Sequence, residues 1–262
     1  MSVEVTRQGD VAVLTFTDGG VNLYSLDLHD EFDVALDAIE ADLPRAVVVR
    51  AEGKLVSGGV DVAQFYARKT KADTKALYDR MIELPDRFAA LEVPTVFAAH
   101  ALTLTWAIEV ALACDILLAT PKAKFGLVER VVGLTPTMGG TQRFASRAGV
   151  ARAKEFVFTG DLYEAATLER WNVVNRVIDT EGGTQADFDA EVLRFAEQLA
   201  VGPTKAFAAG KQILRHFESG GVAEANAHTT AIASDLFDTQ DLQDGMASFL
   251  TEGPGKATFH GR

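Results

Sequence analysis

The stretch AHALTLTWAIEVALACDILLA, Ala99–Ala119, holds a single carboxylate, Glu109, inside a run of apolar and hydroxyl-bearing residues that meets no second acid until Asp115. An ionised carboxylate buried in such a run is costly unless something compensates it. Two readings follow from the residues: an ion pair with Arg or Lys on another helix or subunit, or an acid/base carboxylate whose pKa is tuned by burial. The run reads as a helix between two buried strands, TVFAAHAL before it and CDILLAT after it, and this β-then-α order implies a layered α/β core.

The same order extends in both directions. DVAVLTF (Asp10–Phe16) alternates as a strand does. SLDLHDEFDVALDAIEADL spaces Leu28, Phe32, Leu36, Ile39 and Leu43 for one helical face, with Asp27 as an available N-cap, and RAVVVRAEG follows as a β-branched strand. A charged helical segment covers Thr70 to Leu91. From about Gly149 the pattern turns helical, in VARAKEFVFTG, DFDAEVLRFAEQLA, PTKAFAAGKQILRHF and VAEANAHTTAIASDLF. We divide the chain into an α/β core over residues 1–200 and a helical C-terminal lobe over 201–262.

Composition excludes several classes of function. With 48% hydrophobic and 24% charged residues over 262 positions, the chain can bury a substantial core. A formal net charge of −12 argues against nucleic acid or anionic lipid as a partner. The one cysteine, Cys114, can form no intramolecular disulfide and belongs to no structural zinc motif, which fits a reducing cytoplasm. Neither a targeting segment nor a membrane span is expected from the apolar runs.

A second carboxylate, Glu129, lies between Val128 and Arg130 in KFGLVERVVGLTPTMGGTQR. It reads either as a surface partner of Arg130 or as the other half of an acid/base pair, one member taking a proton from a water while the other delivers one to substrate. SGGVD (Ser57–Asp61) lets backbone N–H groups approach a ligand closely, and the helix start before Glu109 exposes more of them. Together they suit a developing oxyanion; alone, the paired glycines read as a turn.

Taken together, GKLVSGGVDVAQF, AHALTLTWAIEVALACDILLAT and AKFGLVERVVGLTPTMGGTQRFASRAGVARAKEFVFTG resemble, in order and spacing, the segments of the crotonase superfamily, the enoyl-CoA hydratases and isomerases. The resemblance covers essentially the whole chain. It implies a spiral of ββα units with a helical C-terminal lobe, assembly as a homotrimer or hexamer, and an acyl-CoA substrate with no metal or separate cofactor. It places Glu109 and Glu129 on the two catalytic glutamates, the backbone N–H groups of Val60 and Trp106 in the oxyanion hole, and Gly59, Asp61, Val128, Pro136 and Thr137 around the substrate. Keeping both glutamates favours hydration of a 2-enoyl-CoA. Isomerisation or thioester hydrolysis with Glu129 as principal base is the first alternative.

The departures from the family pattern add bulk. Thr105 and Trp106 stand where glycines are usual, Val60 replaces alanine, Val128 replaces proline, and Thr137-Met138 replace a small pair. Trp106 is expected to narrow the acyl pocket; at the extreme it occludes the pocket and leaves a catalytically silent paralogue. Lys54, Arg68, Lys69 and Lys71 are the basic residues expected near the CoA phosphates, the last three better read as a solvated charged helix. His100, Cys114 and Trp171 read as structural residues.

Overall fold

The computed structural model describes residues 2–63, 67 and 70–261. The chain opens with β1 (Ser2–Gln8), β2 (Val11–Thr17), β3 (Leu23–Tyr24), α1 (Leu26–Ala41), β4 (Ala46–Ala51) and β5 (Gly59–Val60). It continues through α2 (Lys71–Ala90), β6 (Thr95–Ala99), β7 (Thr103–Leu104), α3 (Trp106–Ala113), β8 (Ile116–Ala119) and β9 (Lys124–Gly126). A 3-10 turn (Glu129–Val132), α4 (Gly140–Ala148), α5 (Val150–Thr159), β10 (Tyr163–Glu164), α6 (Ala165–Arg170) and β11 (Arg176–Val177) follow. The helices α7 (Gln185–Ala200), α8 (Thr204–Asp235) and α9 (Gln240–Glu252) complete it.

Six strands form the main sheet in the order β1-β2-β4-β6-β8-β11, parallel throughout except for β1 against β2. Side chains alternate between its two faces, and both faces are covered. Ala12, Leu14 and Phe16 of β2, Val47 and Val49 of β4, Phe97 of β6 and Leu117 of β8 point into the larger core with α1, α2 and α3. Their neighbours Val11, Val13, Ala46, Val48, Val96 and Leu118 meet Phe188, Val192, Ala196 and Ala200 of α7 on the other face. This is why the strands read as nearly continuous apolar runs.

Two sequence expectations about α1 are corrected. Its N-cap is Ser25, whose hydroxyl accepts the N–H of Leu28, and Asp27 sits inside the first turn, where a carboxylate favours the positive helix end. Leu43 falls beyond the last turn and is 44% exposed, whereas Leu28, Phe32, Leu36 and Ile39 are fully buried. The charged segment forms α2 with Thr70 as its N-cap.

Two small sheets stand beside the large one. Parallel β3 and β5 form one; β7 pairs parallel with β9, and β10 antiparallel with β9, in the other. They link distant segments around the start of α3: the N–H groups of Val56 and Ser57 donate to Leu102 O, and that of Leu104 donates to Ser57 O. The segment before β5 and the segment before α3 are thus bonded to each other, which brings the two glycine- and threonine-rich stretches into one place.

Candidate active site

The first half of the site is the β5 segment. Gly59 has φ of +117°, a conformation an L side chain rarely adopts, and its N–H donates to the Ser57 hydroxyl at 3.0 Å. The N–H of Asp61 donates to Tyr24 O at 3.0 Å, which ties this side of the strand to β3. Alternation along the strand turns the N–H of Val60, between them, away from β3. Asp61 turns its carboxylate back on the chain, accepting the N–H of Ala63.

The second half is the start of α3. Thr105 adopts φ 50°, ψ −117°, held by its N–H to Gly126 O at 3.0 Å and by its carbonyl, which accepts the N–H of Glu109. The N–H groups of Trp106, Ala107 and Ile108 lie in the first turn, where no intrahelical acceptor exists. A Cβ built on Gly59 would stand 3.6 Å from the Thr105 hydroxyl oxygen, and the Leu104 N–H donates to Ser57 O at 3.2 Å, so the two segments run side by side. Two candidate oxyanion donors, Val60 N–H and Trp106 N–H, therefore belong to adjacent stretches of chain.

Trp106 itself does not behave as its sequence position suggested. Its indole is fully buried, in ring contact with Phe16, Tyr24 and Phe32 at centroid distances of 5.1, 6.1 and 5.8 Å, and its Nε1–H donates to Asn22 O at 3.2 Å. These partners come from β2, β3, α1 and the turn before β3. Sequence placed Trp106 at the acyl pocket; in the structure the indole packs as a core side chain, held by an aromatic cluster and by the Asn22 carbonyl.

Glu109, one turn into α3, is 2% exposed. One of its oxygens, Oε2, accepts two backbone N–H groups, from Met138 at 2.8 Å and Gly140 at 2.7 Å. Any side chain at 140 would collide with it, because a Cβ there would lie 2.7 Å from Glu109 Cγ. Among the described residues no Lys or Arg forms an ion pair with it; nearby Arg143 is engaged with Asp86. Burial, and next the charge of Glu129, push its carboxyl up to about 8, against the pull of the two N–H donors and Arg143.

Glu129 opens the 3-10 turn that follows Val128. Burial pushes its carboxyl up to about 7, and its Oε2 is buried with no hydrogen-bond partner among the described residues. Arg130 does not pair with it; that guanidinium donates to Thr159 O. Burial thus raises both carboxyls, and the charge of Glu129 raises that of Glu109 further. Two such carboxyls can supply a base and an acid, the division that water addition or proton relocation next to a thioester requires.

The remaining sequence candidates divide. Val128, Pro136 and Thr137 are half-buried in the segment from β9 to α4 that carries Glu129 and supplies the Met138 and Gly140 N–H clamp. That clamp was not visible in the sequence, although the glycine pair at 139–140 signals it. Lys54 and Lys71 are exposed, and Arg68 and Lys69 lie outside the described residues. His100 is held through Nε2 by Gly53 O at 3.0 Å, and its pKa is lowered by burial. Burial raises the Cys114 thiol to about 12, an unreactive core position. Trp171 packs on Tyr163 beneath the guanidinium of Arg152.

Comparisons with known proteins identify the family. The family model described as enoyl-CoA hydratase/isomerase matches residues 6–261. A probable enoyl-CoA hydratase of Rhizobium meliloti is 28% identical over 98% of this chain and 97% of its own. A short-chain-enoyl-CoA hydratase of Clostridium acetobutylicum is 27% identical over 95% of this chain and 94% of its own. Among solved structures, an enoyl-CoA hydratase subunit I from Geobacillus kaustophilus superposes with a TM-score of 0.90 at 27% identity, covering 100% of this chain and 99% of that one. The chain therefore belongs to the enoyl-CoA hydratase/isomerase family, within the crotonase superfamily, and its chemistry is crotonase-type chemistry on acyl-CoA thioesters.

Proposed function

We propose that this protein hydrates a 2-enoyl-CoA, or catalyses the reverse reaction, with Glu109 and Glu129 as a proton-sharing pair. The observation that carries the reading is the pair itself: two carboxyls raised to about 8 and about 7, one of them clamped by two backbone N–H groups next to a helix start. The thioester oxygen sits between the N–H groups of Val60 and Trp106, where preorganised dipoles stabilise the enolate that forms as water adds at C3. The ionised glutamate takes a proton from that water and the protonated one delivers a proton to C2. Water is added across the double bond and the pair ends with the same proton count.

Coenzyme A enters as part of the substrate; no metal or separate cofactor takes part. Exposed Lys54 and Lys71 are the described candidates to meet its phosphates. We also propose a homotrimer or hexamer formed through the C-terminal lobe, because its apolar residues stay open in the single chain: Phe237, Phe249 and Leu250 are 60%, 60% and 83% exposed. A monomeric mass by light scattering at micromolar concentration contradicts this assembly. No described helix is long and apolar enough to cross a membrane, and we assign the protein to the cytoplasm on its cysteine usage.

The test is turnover of crotonyl-CoA alongside a 3-enoyl-CoA. Glu109→Gln and Glu129→Gln are each expected to lower hydration by about 10²- to 10⁴-fold with the fold intact. Turnover of the 3-enoyl-CoA only, abolished by Glu129→Gln and not by Glu109→Gln, replaces hydration with isomerisation.

A further inference from the structure

Helix α8 is broken at Gly221, where φ 73° and ψ −165° interrupt the helical path between its two arms. At Gly220 a Cβ would lie 2.5 Å from the Cβ of Glu224, so the bare backbone there lets the second arm fold close against the break. The bend brings His216 of the first arm against Glu224 and His228 of the second, which share one face because they are four residues apart. His228 Nε2 is 3.0 Å from Glu224 Oε1 and His216 Nδ1 is 3.8 Å from the same oxygen. The imidazoles lie face to face, with centroids 3.8 Å apart and planes 11° from parallel. The three potential ligand atoms all fall within 4.8 Å of one another.

We propose that His216, Glu224 and His228 bind a zinc-type divalent cation that bridges the two arms of α8. Two imidazole nitrogens and one carboxylate oxygen form a borderline donor set that suits Zn²⁺ and leaves a fourth position for water, whereas Mg²⁺ and Ca²⁺ prefer oxygen alone. With bonds of about 2.1 Å, ligand atoms of a tetrahedral zinc site stand about 3.4 Å apart. The distances of 3.0 and 3.8 Å from Glu224 Oε1 bracket that spacing. One change is required. Nitrogen lone pairs lie in the ring planes, so nearly parallel rings cannot both aim at one ion, and the half-exposed His228 ring must tilt. None of the three residues belongs to the candidate acyl-CoA site, so this inference does not depend on the hydration reading.

The experiment uses untagged full-length protein, freed of metal by a chelator and titrated with Zn²⁺ against a chromophoric competitor, with a thermal melt at each end point. One ion per chain is expected, with the melting temperature rising on loading. His216→Ala and His228→Ala should each weaken binding at least tenfold and abolish the rise. Circular dichroism of the metal-free proteins checks their folding, and His216→Asn and His228→Gln serve if an alanine variant is unfolded. Glu109→Gln should bind as the wild type does. No binding at 100 µM Zn²⁺, or wild-type binding by both histidine variants, overturns the site. Wild-type binding by the His216 variants alone overturns the bridge, since the ion then rests on the Glu224–His228 turn.

Discussion

Replacing Trp106 with glycine restores the residue usual for the family and removes a fully buried indole. Truncating a buried Trp costs about 3–5 kcal/mol through lost burial and the cavity left behind. Glycine in a helix adds up to about 1 kcal/mol, and the Asn22 carbonyl loses its donor. Against a total stability of about 5–15 kcal/mol this is a large fraction, so Trp106→Gly should lower the melting temperature by about 10 °C. Trp106→Phe keeps a ring among Phe16, Tyr24 and Phe32 and should lose less. Because the indole faces these core rings, neither variant should change which enoyl-CoA chain length is preferred. Thermal melts, with turnover of C4 to C12 substrates, check both halves. A stable Trp106→Gly protein with a new preference for long chains refutes the reasoning, since it places the indole in the acyl pocket.

The carboxyl pair should give kcat/KM a bell-shaped pH profile, falling as both groups protonate below about pH 7 and as both ionise above about pH 8; a flat profile from pH 6 to 9 contradicts it. The same shift governs stability. A carboxyl raised from 4.5 to about 8 on folding contributes stability that is full below about pH 4.5 and lost as pH rises through about 8. Glu109→Gln stays neutral throughout, so it should gain on the order of 2–4 kcal/mol over the wild type by pH 9, read by urea denaturation, and little at pH 4. Gly140→Ala places a methyl group 2.9 Å from Glu109 Oε2 and should cost about 10²-fold in turnover while the protein still folds; unchanged activity removes the clamp from the mechanism. Thr105→Gly relieves a backbone strained by about 1–3 kcal/mol at some entropic cost, and should raise stability by about 1 kcal/mol with turnover retained.

What was legible in the sequence, and what was not, follows from how each feature is encoded. The parallel sheet shows in its strands because burial on both faces demands unbroken apolar residues, as in Val47–Val49. Glu109 stands out because an acid within eight otherwise apolar helical residues is costly, and Gly59 because its positive φ needs glycine. The destination of the Trp106 side chain was hidden: it depends on Phe16, Tyr24, Phe32 and Asn22, which lie more than seventy positions away and meet it only through the tertiary fold. The clamp on Glu109 was hidden for a different reason, since backbone N–H groups carry no residue-type signal beyond the glycine that leaves room for them. The His216, Glu224 and His228 cluster depends on a break inside what reads as two separate helical segments.

The two departures from glycine at the start of α3 act as one device. A β-branched residue at φ 50°, ψ −117° is strained, and the Thr105 hydroxyl is buried without a partner among the described residues, so the turn alone would tend to relax. It cannot relax without moving Trp106, whose indole is locked by three rings and by the Asn22 carbonyl. The locking burial, about 3–5 kcal/mol, exceeds the strain of about 1–3 kcal/mol, so the strained turn persists. Glycine would allow the same turn by offering freedom; here a buried side chain imposes it. The direction of the Trp106 N–H is thereby fixed by the core rather than by the loop, and in the oxyanion role proposed for it a donor held from behind in this way would lose little order on binding.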